Sequence, residues 1–209
     1  MKSQKKGIEK ALTRLSSKLT KDDLLIIYLS GHGIRISGHP FFVTNKKNLS
    51  WKKLAKWLGK VKARTLVLLD ACRAGDVTGV NSGLLVADLI AKRDSGILVF
   101  SAVRSWQETY EQGGNESGHS LFAEAISESF DKEVDINQDG VISLSEFYDF
   151  TTAKVEVLSR QLFNKGIEKI RKRDDSPKPR FDEVISYPHT PWLPNIELFG
   201  DIPLIPVDH

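Results

Sequence analysis

The chain has 209 residues, the length of one domain or of one domain with an appendage. Its 30 basic and 27 acidic side chains leave a formal net charge of +3, which is too small to indicate nucleic acid or a membrane surface as a partner. A single Cys excludes an internal disulfide, and no apolar run approaches the roughly 20 residues of a membrane span. We therefore expect a cytoplasmic protein that binds neither nucleic acid nor membrane.

Predicted strands alternate with predicted helices along the first half of the chain. Continuous apolar runs predict buried strands over residues 24–29, 65–69 and 97–100, and apolar residues at helical spacing predict helices over 8–19 and 51–58. The first strand leads to His32 and the second to Cys72. Because this alternation is typical of a mainly parallel sheet, we predict an α/β fold with both residues at the carboxyl edge of the strands.

The pattern beyond residue 120 is helical again. An apolar stripe predicts a helix over residues 121–130, a short acidic loop follows, and another helix is predicted over 144–162. Residues 165–209 are basic at first and then rich in Pro, so we expect extended or loop structure that packs on the same domain. The main domain is accordingly placed at residues 1–164.

Cys72 and His32 are candidates for a nucleophile and its general base. A thiolate is a strong nucleophile, and an adjacent imidazole can take its proton. Their separation of 40 positions matches one strand-helix-strand crossover, which brings two parallel strand ends side by side. A lone Cys is more often a small core residue and a His before Gly is often part of a turn, so the hypothesis depends on the pair.

Two motifs carry a resemblance to a known family. Ser30-Gly31-His32-Gly33 and Asp70-Ala71-Cys72-Arg73-Ala74-Gly75 resemble the His and Cys motifs of the caspase clan, particularly its bacterial members and the metacaspases. The resemblance implies a caspase-like three-layer α/β/α fold and a cysteine endopeptidase in which Cys72 attacks the scissile carbonyl and His32 transfers the proton. It also implies that the backbone N–H groups of Gly33 and Cys72 receive the oxyanion.

Asp70 is the candidate for substrate selection. It lies two residues before Cys72, so both side chains of an extended strand would point to the same side. A buried carboxylate needs a partner, which a substrate Lys or Arg would supply; the alternative is a structural ion pair with Arg35, Arg64 or Arg73. Metacaspases use Asp at this position for basic P1 residues, which implies cleavage after Arg or Lys.

The segment over residues 100–111 looks like the substrate-pocket segment of metacaspases, in which a strand runs into a polar loop. This resemblance assigns Ser101, Trp106 and Gln107 to substrate binding. With the motif residues, they complete the predicted peptidase site.

Residues 135–146 match the twelve-residue EF-hand loop at every ligand position, with Gly140 at the sharp turn. The predicted ligands are Asp135, Asn137, Asp139, the backbone carbonyl of Val141, Ser143 and Glu146. The motif predicts Ca²⁺ as a cofactor and a calcium-responsive protein, against the alternative of a relic loop. No organic cofactor is expected.

The expected partners are a protein or peptide substrate and a strand-supplying segment. Caspase-like domains normally open with a strand, a helix and a strand ahead of the helix that is predicted here over residues 8–19. Without them the strand over 24–29 would have an unpaired edge, so we expect another chain or a precursor segment to supply them. The alternative function is an inactive caspase-like interaction or calcium-sensing module, against which the retained His32 and Cys72 argue.

Overall fold

The computed structural model describes residues 4–36, 39–44, 48–71, 96–102, 120–171, 191, 193, 196 and 201–207. The chain divides into two compact units. The first contains Met1–Thr109 with Trp192–Ile196, and the second contains Tyr110–Pro191 with Glu197–His209.

A parallel sheet forms the centre of the first unit. Its described strands are β1 (Leu24–Gly31), β5 (Arg64–Ala71) and β6 (Ile97–Ser101), in the order β1-β5-β6. Every residue of β5 from 65 to 70 is buried, because this strand is paired on both sides. The parallel sheet within a mixed α/β architecture confirms the predicted fold class.

One face of this sheet is covered by two helices, α1 (Gln4–Ser16) and α2 (Trp51–Leu58). Alternate residues of β5, Val67 and Leu69, join the core cluster formed with these helices. The helix α2 begins at Ser50, whose side chain accepts a hydrogen bond from the backbone N–H of Lys53. The buried residues of α2 are Trp51, Leu54, Trp57 and Leu58. The bounds of α2 agree with the sequence prediction.

A second, antiparallel sheet follows β1 in the chain and was not predicted. It consists, in the described ranges, of β2 (Gly33–Ile36), β3 (His39–Phe42) and β4 (Leu49–Ser50). These strands have two to four residues, too few for a clear two-residue periodicity. Only His32 separates β1 from β2, so the chain passes directly from one sheet into the other.

The second unit is built on the helices α3 (Leu121–Glu128) and α4 (Leu144–Arg171), with a 3₁₀ turn at Lys132–Val134. Two short strands form an antiparallel pair: β7 (Val141–Ser143), which directly precedes α4 in the chain, and β8 (Pro203–Pro206), which follows it. The sequence prediction ended the last helix at residue 162, which is too early: residues 163–171 continue it, and Pro177 is the next proline. No described helix is long and apolar enough to cross a membrane.

The strand β1 lies at the edge of the described sheet. Its apolar residues are half-buried whereas those of β5 are buried, and Tyr28 is 44% exposed. Among the described residues, β5 is the one strand that pairs with β1. Within the described residues β1 is therefore an edge strand, and the expectation that another segment pairs with it stays a prediction.

Leu29 and Leu69 offer a matched test of this edge, because they are direct register partners on β1 and β5. Leu69 is 0% exposed, whereas Leu29 is only partly buried against the same core. We expect Leu69→Ala to lower the free energy of unfolding by about 2–5 kcal/mol and Leu29→Ala to lower it clearly less, as measured by urea denaturation. Equal losses would indicate that the β1 edge is covered in solution.

Candidate functional site

His32 lies at the carboxyl end of β1, in the junction between the two sheets. Its backbone carbonyl accepts a hydrogen bond from the N–H of Val43 at 2.8 Å, and its side chain is exposed. Gly33 follows as the first residue of β2 and pairs with Phe42. The predicted base is therefore held through its backbone and open to solvent through its side chain.

Gly31 makes this junction feasible. Its φ is +153°, and a Cβ built on it would lie 3.0 Å from Cζ of Phe42. The Phe42 ring is 8% exposed and meets Trp51 edge-on at a centroid distance of 6.2 Å. The ring therefore has little room to move, and glycine is strongly favoured next to His32.

Asp70 lies at the same edge of the sheet, on the central strand opposite Ser30. It is 6% exposed, and its Oδ2 accepts a hydrogen bond from the Tyr28 hydroxyl at 2.5 Å. Of the three alternative ion-pair partners, Arg64 is excluded, because it begins the same strand and six residues of strand span about 20 Å. The side chains of Arg35 and Arg73 lie outside the described residues. The Tyr28 contact was missed from sequence, although Tyr28 is the one polar residue in the run over 24–29.

Ser101 ends β6 at this edge and is 0% exposed. It pairs with Leu69, and the next N–H, from Ala102, donates to the Leu69 carbonyl at 2.9 Å. Since register partners share a face of the sheet, Ser101 lies on the face of Leu69 and Asp70 on the opposite one. The structure thus brings both residues to one edge but not to one face.

Three of the predicted peptidase residues, Cys72, Trp106 and Gln107, lie outside the described residues. The described part of β5 ends at Ala71, the residue before Cys72. Of the predicted site, the structure therefore places Asp70 and Ser101 at the carboxyl edge of the parallel sheet, with His32 and Gly33 directly following β1 at the same edge.

Glu146 links the two ends of the predicted calcium loop. Its Oε1 accepts from the N–H groups of Ile136 (2.9 Å) and Asn137 (3.3 Å), and its Oε2 accepts from the N–H (2.9 Å) and hydroxyl (2.7 Å) of Ser143. Burial acts to raise the pKa of Glu146, but these donors outweigh it and hold the pKa below its ordinary value. Glu146 is therefore ionised at neutral pH.

Asp135 is the first residue of the loop and is 3% exposed. Its carboxylate accepts from the N–H of Asp139 at 3.2 Å and of Gly140 at 2.9 Å. Gly140 has a φ of +86°, which a residue with a Cβ rarely adopts. Within the described ranges no three His, Cys, Asp or Glu side chains converge on one point, so a metal site here would also need amide, hydroxyl and carbonyl oxygens.

The predicted donor set consists entirely of oxygens. Three carboxylates come from Asp135, Asp139 and Glu146, an amide oxygen from Asn137, and a hydroxyl from Ser143. Oxygen donors at these positions suit a hard cation, and the turn at Gly140 has the conformation that the motif requires. The residue types therefore suit Ca²⁺, while the three carboxylates do not converge on one point in the described structure.

The chain belongs to the caspase-domain family, since the family model described as Caspase domain matches residues 2–181. This match confirms the resemblance carried by the His and Cys motifs and supports a caspase-like cysteine peptidase. Among solved structures, the protein GSU0716 from Geobacter sulfurreducens is similar, with a TM-score of 0.52 over 94% of this chain and 77% of that chain. At 14% identity the likeness concerns the fold alone. No curated protein matches the sequence.

The junction at Gly31 can be tested with one methyl group. We expect Gly31→Ala to lower the free energy of unfolding by roughly 1–3 kcal/mol, because the added Cβ meets the Phe42 ring in an unfavourable backbone conformation. Gly7→Ala is the matched control: Gly7 lies inside α1 with no atom within 4 Å of a built Cβ, so the same change should stabilise by about 0.5–1 kcal/mol. A Gly31→Ala protein as stable as the wild type in urea denaturation would contradict this account.

Proposed function

We propose that the chain is a cysteine endopeptidase that cleaves after Arg or Lys, with Cys72 as nucleophile and His32 as general base. The observation that carries the proposal is the buried Asp70 carboxylate at the sheet edge, close in sequence to Cys72 and on the strand next to the one that leads to His32. Membership of the caspase-domain family supports the reaction class.

In this mechanism the Cys72 sulfur attacks the scissile carbonyl carbon as a thiolate. His32 takes the thiol proton and later returns a proton to the amine that leaves. The exposed imidazole is accessible to a substrate, and the hydrogen bond from Val43 to the His32 carbonyl fixes the backbone that carries it. The N–H of Gly33, the next residue, would stabilise the oxyanion.

Asp70 would select the residue before the cleaved bond. Placing a carboxylate in a nearly dry site costs desolvation free energy, which a guanidinium or ammonium group of the substrate offsets when it binds. An acidic P1 side chain would add a second negative charge to the same site. The electrostatics of Asp70 therefore favour basic and disfavour acidic substrates.

Peptidyl electrophiles test nucleophile and specificity together. We expect a probe with Arg at P1 to label Cys72 stoichiometrically and a matched probe with Asp at P1 to label it at least about 100-fold more slowly, by intact-mass spectrometry. Cys72→Ala should abolish the adduct. His32→Ala should slow labelling while the melting temperature stays near that of the wild type.

Preferential reaction of the Asp probe would overturn the basic specificity. A folded protein that no probe labels, with or without calcium, would favour the inactive interaction or calcium-sensing module instead.

We further propose that residues 135–146 bind Ca²⁺ and make the protein calcium-responsive. The support is the complete set of oxygen-bearing residues and the turn at Gly140. Asp135, Asn137, Asp139, Ser143 and Glu146 would hold the ion through side-chain oxygens, and Val141 through its carbonyl. The bound ion would supply positive charge to a loop that carries three carboxylates, and so stabilise the folded second unit.

The response to calcium is measurable as a thermal shift. Saturating Ca²⁺ at 100 times its dissociation constant should stabilise the protein by about 2.7 kcal/mol, and Mg²⁺ should do much less. Asp135→Asn should remove the shift, whereas Asp149→Asn, an equal charge change on the exposed side of α4, should retain it. No shift and no calorimetric heat at millimolar Ca²⁺ would leave the loop as a relic.

A further inference from the structure

Tyr28 stands out in an otherwise aliphatic strand. It is the one polar residue of the run over 24–29 and is 44% exposed. Its register partner on the central strand is Leu68, so Asp70 lies two residues further along on the same face. With neighbouring strands about 4.8 Å apart and about 3.3 Å per residue along a strand, such diagonal neighbours are about 8 Å apart, within reach of an aromatic side chain.

The Tyr28 side chain contacts the Asp70 carboxylate through its hydroxyl. Its hydroxyl donates to Oδ2 at 2.5 Å, a length typical of a hydrogen bond from a hydroxyl to a carboxylate. Such a bond fixes the carboxylate plane and compensates part of the desolvation of a group that is 6% exposed. Because tyrosine is a neutral donor, the bond itself leaves the negative charge of Asp70 in place.

We infer that Tyr28 is a positioning residue for substrate selection, orienting the Asp70 carboxylate toward the basic side chain of the substrate. The inference rests on the proposed function. The geometry supplies its reason: a Phe at the same place would present the same ring but would lack the hydroxyl that donates to Asp70. A carboxylate held in one orientation loses less conformational entropy when a guanidinium pairs with it, and a flexible one would bind more weakly.

The test compares Tyr28→Phe with the wild type on two peptide substrates that differ only at P1, one with Arg and one with citrulline, its neutral isostere. For the Arg substrate we expect KM to rise about tenfold with kcat within about twofold, because an orienting contact to the binding carboxylate is lost. For citrulline both constants should stay unchanged. Tyr148→Phe, the same change on α4, should leave both substrates unaffected.

Asp70→Asn, alone and combined with Tyr28→Phe, tests whether Tyr28 acts on substrate binding through Asp70. Asp70→Asn should remove the preference for Arg, and adding Tyr28→Phe should then cost nothing more, since the two residues act through one carboxylate. Peptide affinities measured by calorimetry on a Cys72→Ala background should give the same ratios without any turnover.

The outcomes separate the two proposals. If Asp70→Asn abolishes the Arg preference but Tyr28→Phe leaves it intact, the role of Tyr28 is overturned and the basic specificity stands. If Tyr28→Phe weakens the Arg and citrulline peptides equally, Tyr28 is structural and the inference is again wrong. If the wild type prefers neither peptide, in turnover and in binding, the proposed specificity fails and the role of Tyr28 fails with it.

Discussion

The parallel pairing of the central strand β5 with β1 and β6 is the constraint on which the site depends. Because both edges of β5 are hydrogen-bonded and its residues from 65 to 70 are buried, a charged group there is costly without a partner. Asp70 is the one charged residue in that buried stretch. Asp70 lies beside β1, which leads to His32. Because ligands of α/β sheets bind at the carboxyl ends of the strands, this edge is the candidate site.

The passage from one sheet to the other is the second constraint. The chain leaves β1 at Gly31 and enters β2 at Gly33, so His32 is the single residue between them. The Phe42 ring fills the space over Gly31 and is held in turn by Trp51 at the start of α2. Core packing under the helix therefore extends to within one residue of the predicted base, and a core substitution there would disturb the site without touching it.

Sequence reasoning succeeded where the pattern was local and failed where it needed register. The apolar runs of β1, β5 and β6 and the capped helix α2 were predictable because burial on both faces and Ser50 leave local signals. The antiparallel sheet has strands too short for periodicity. The Tyr28 contact depends on which residues of β1 and β5 are neighbours, and the face of Ser101 depends on its pairing with Leu69. Neither follows from a single sequence.

Glu146 has two roles that metal binding would bring into competition. With Ser143 it forms a reciprocal cap at the start of α4, because the Ser143 N–H donates to the carboxylate while the Ser143 oxygen accepts from the Glu146 N–H at 3.3 Å. The same carboxylate holds Ile136 and Asn137 at the other end of the loop. Two carboxylate oxygens offer about four acceptor sites, so a cation bound by both oxygens of the carboxylate would displace some of these donors. Ion binding at this loop would therefore be coupled to the first turn of α4 through one side chain.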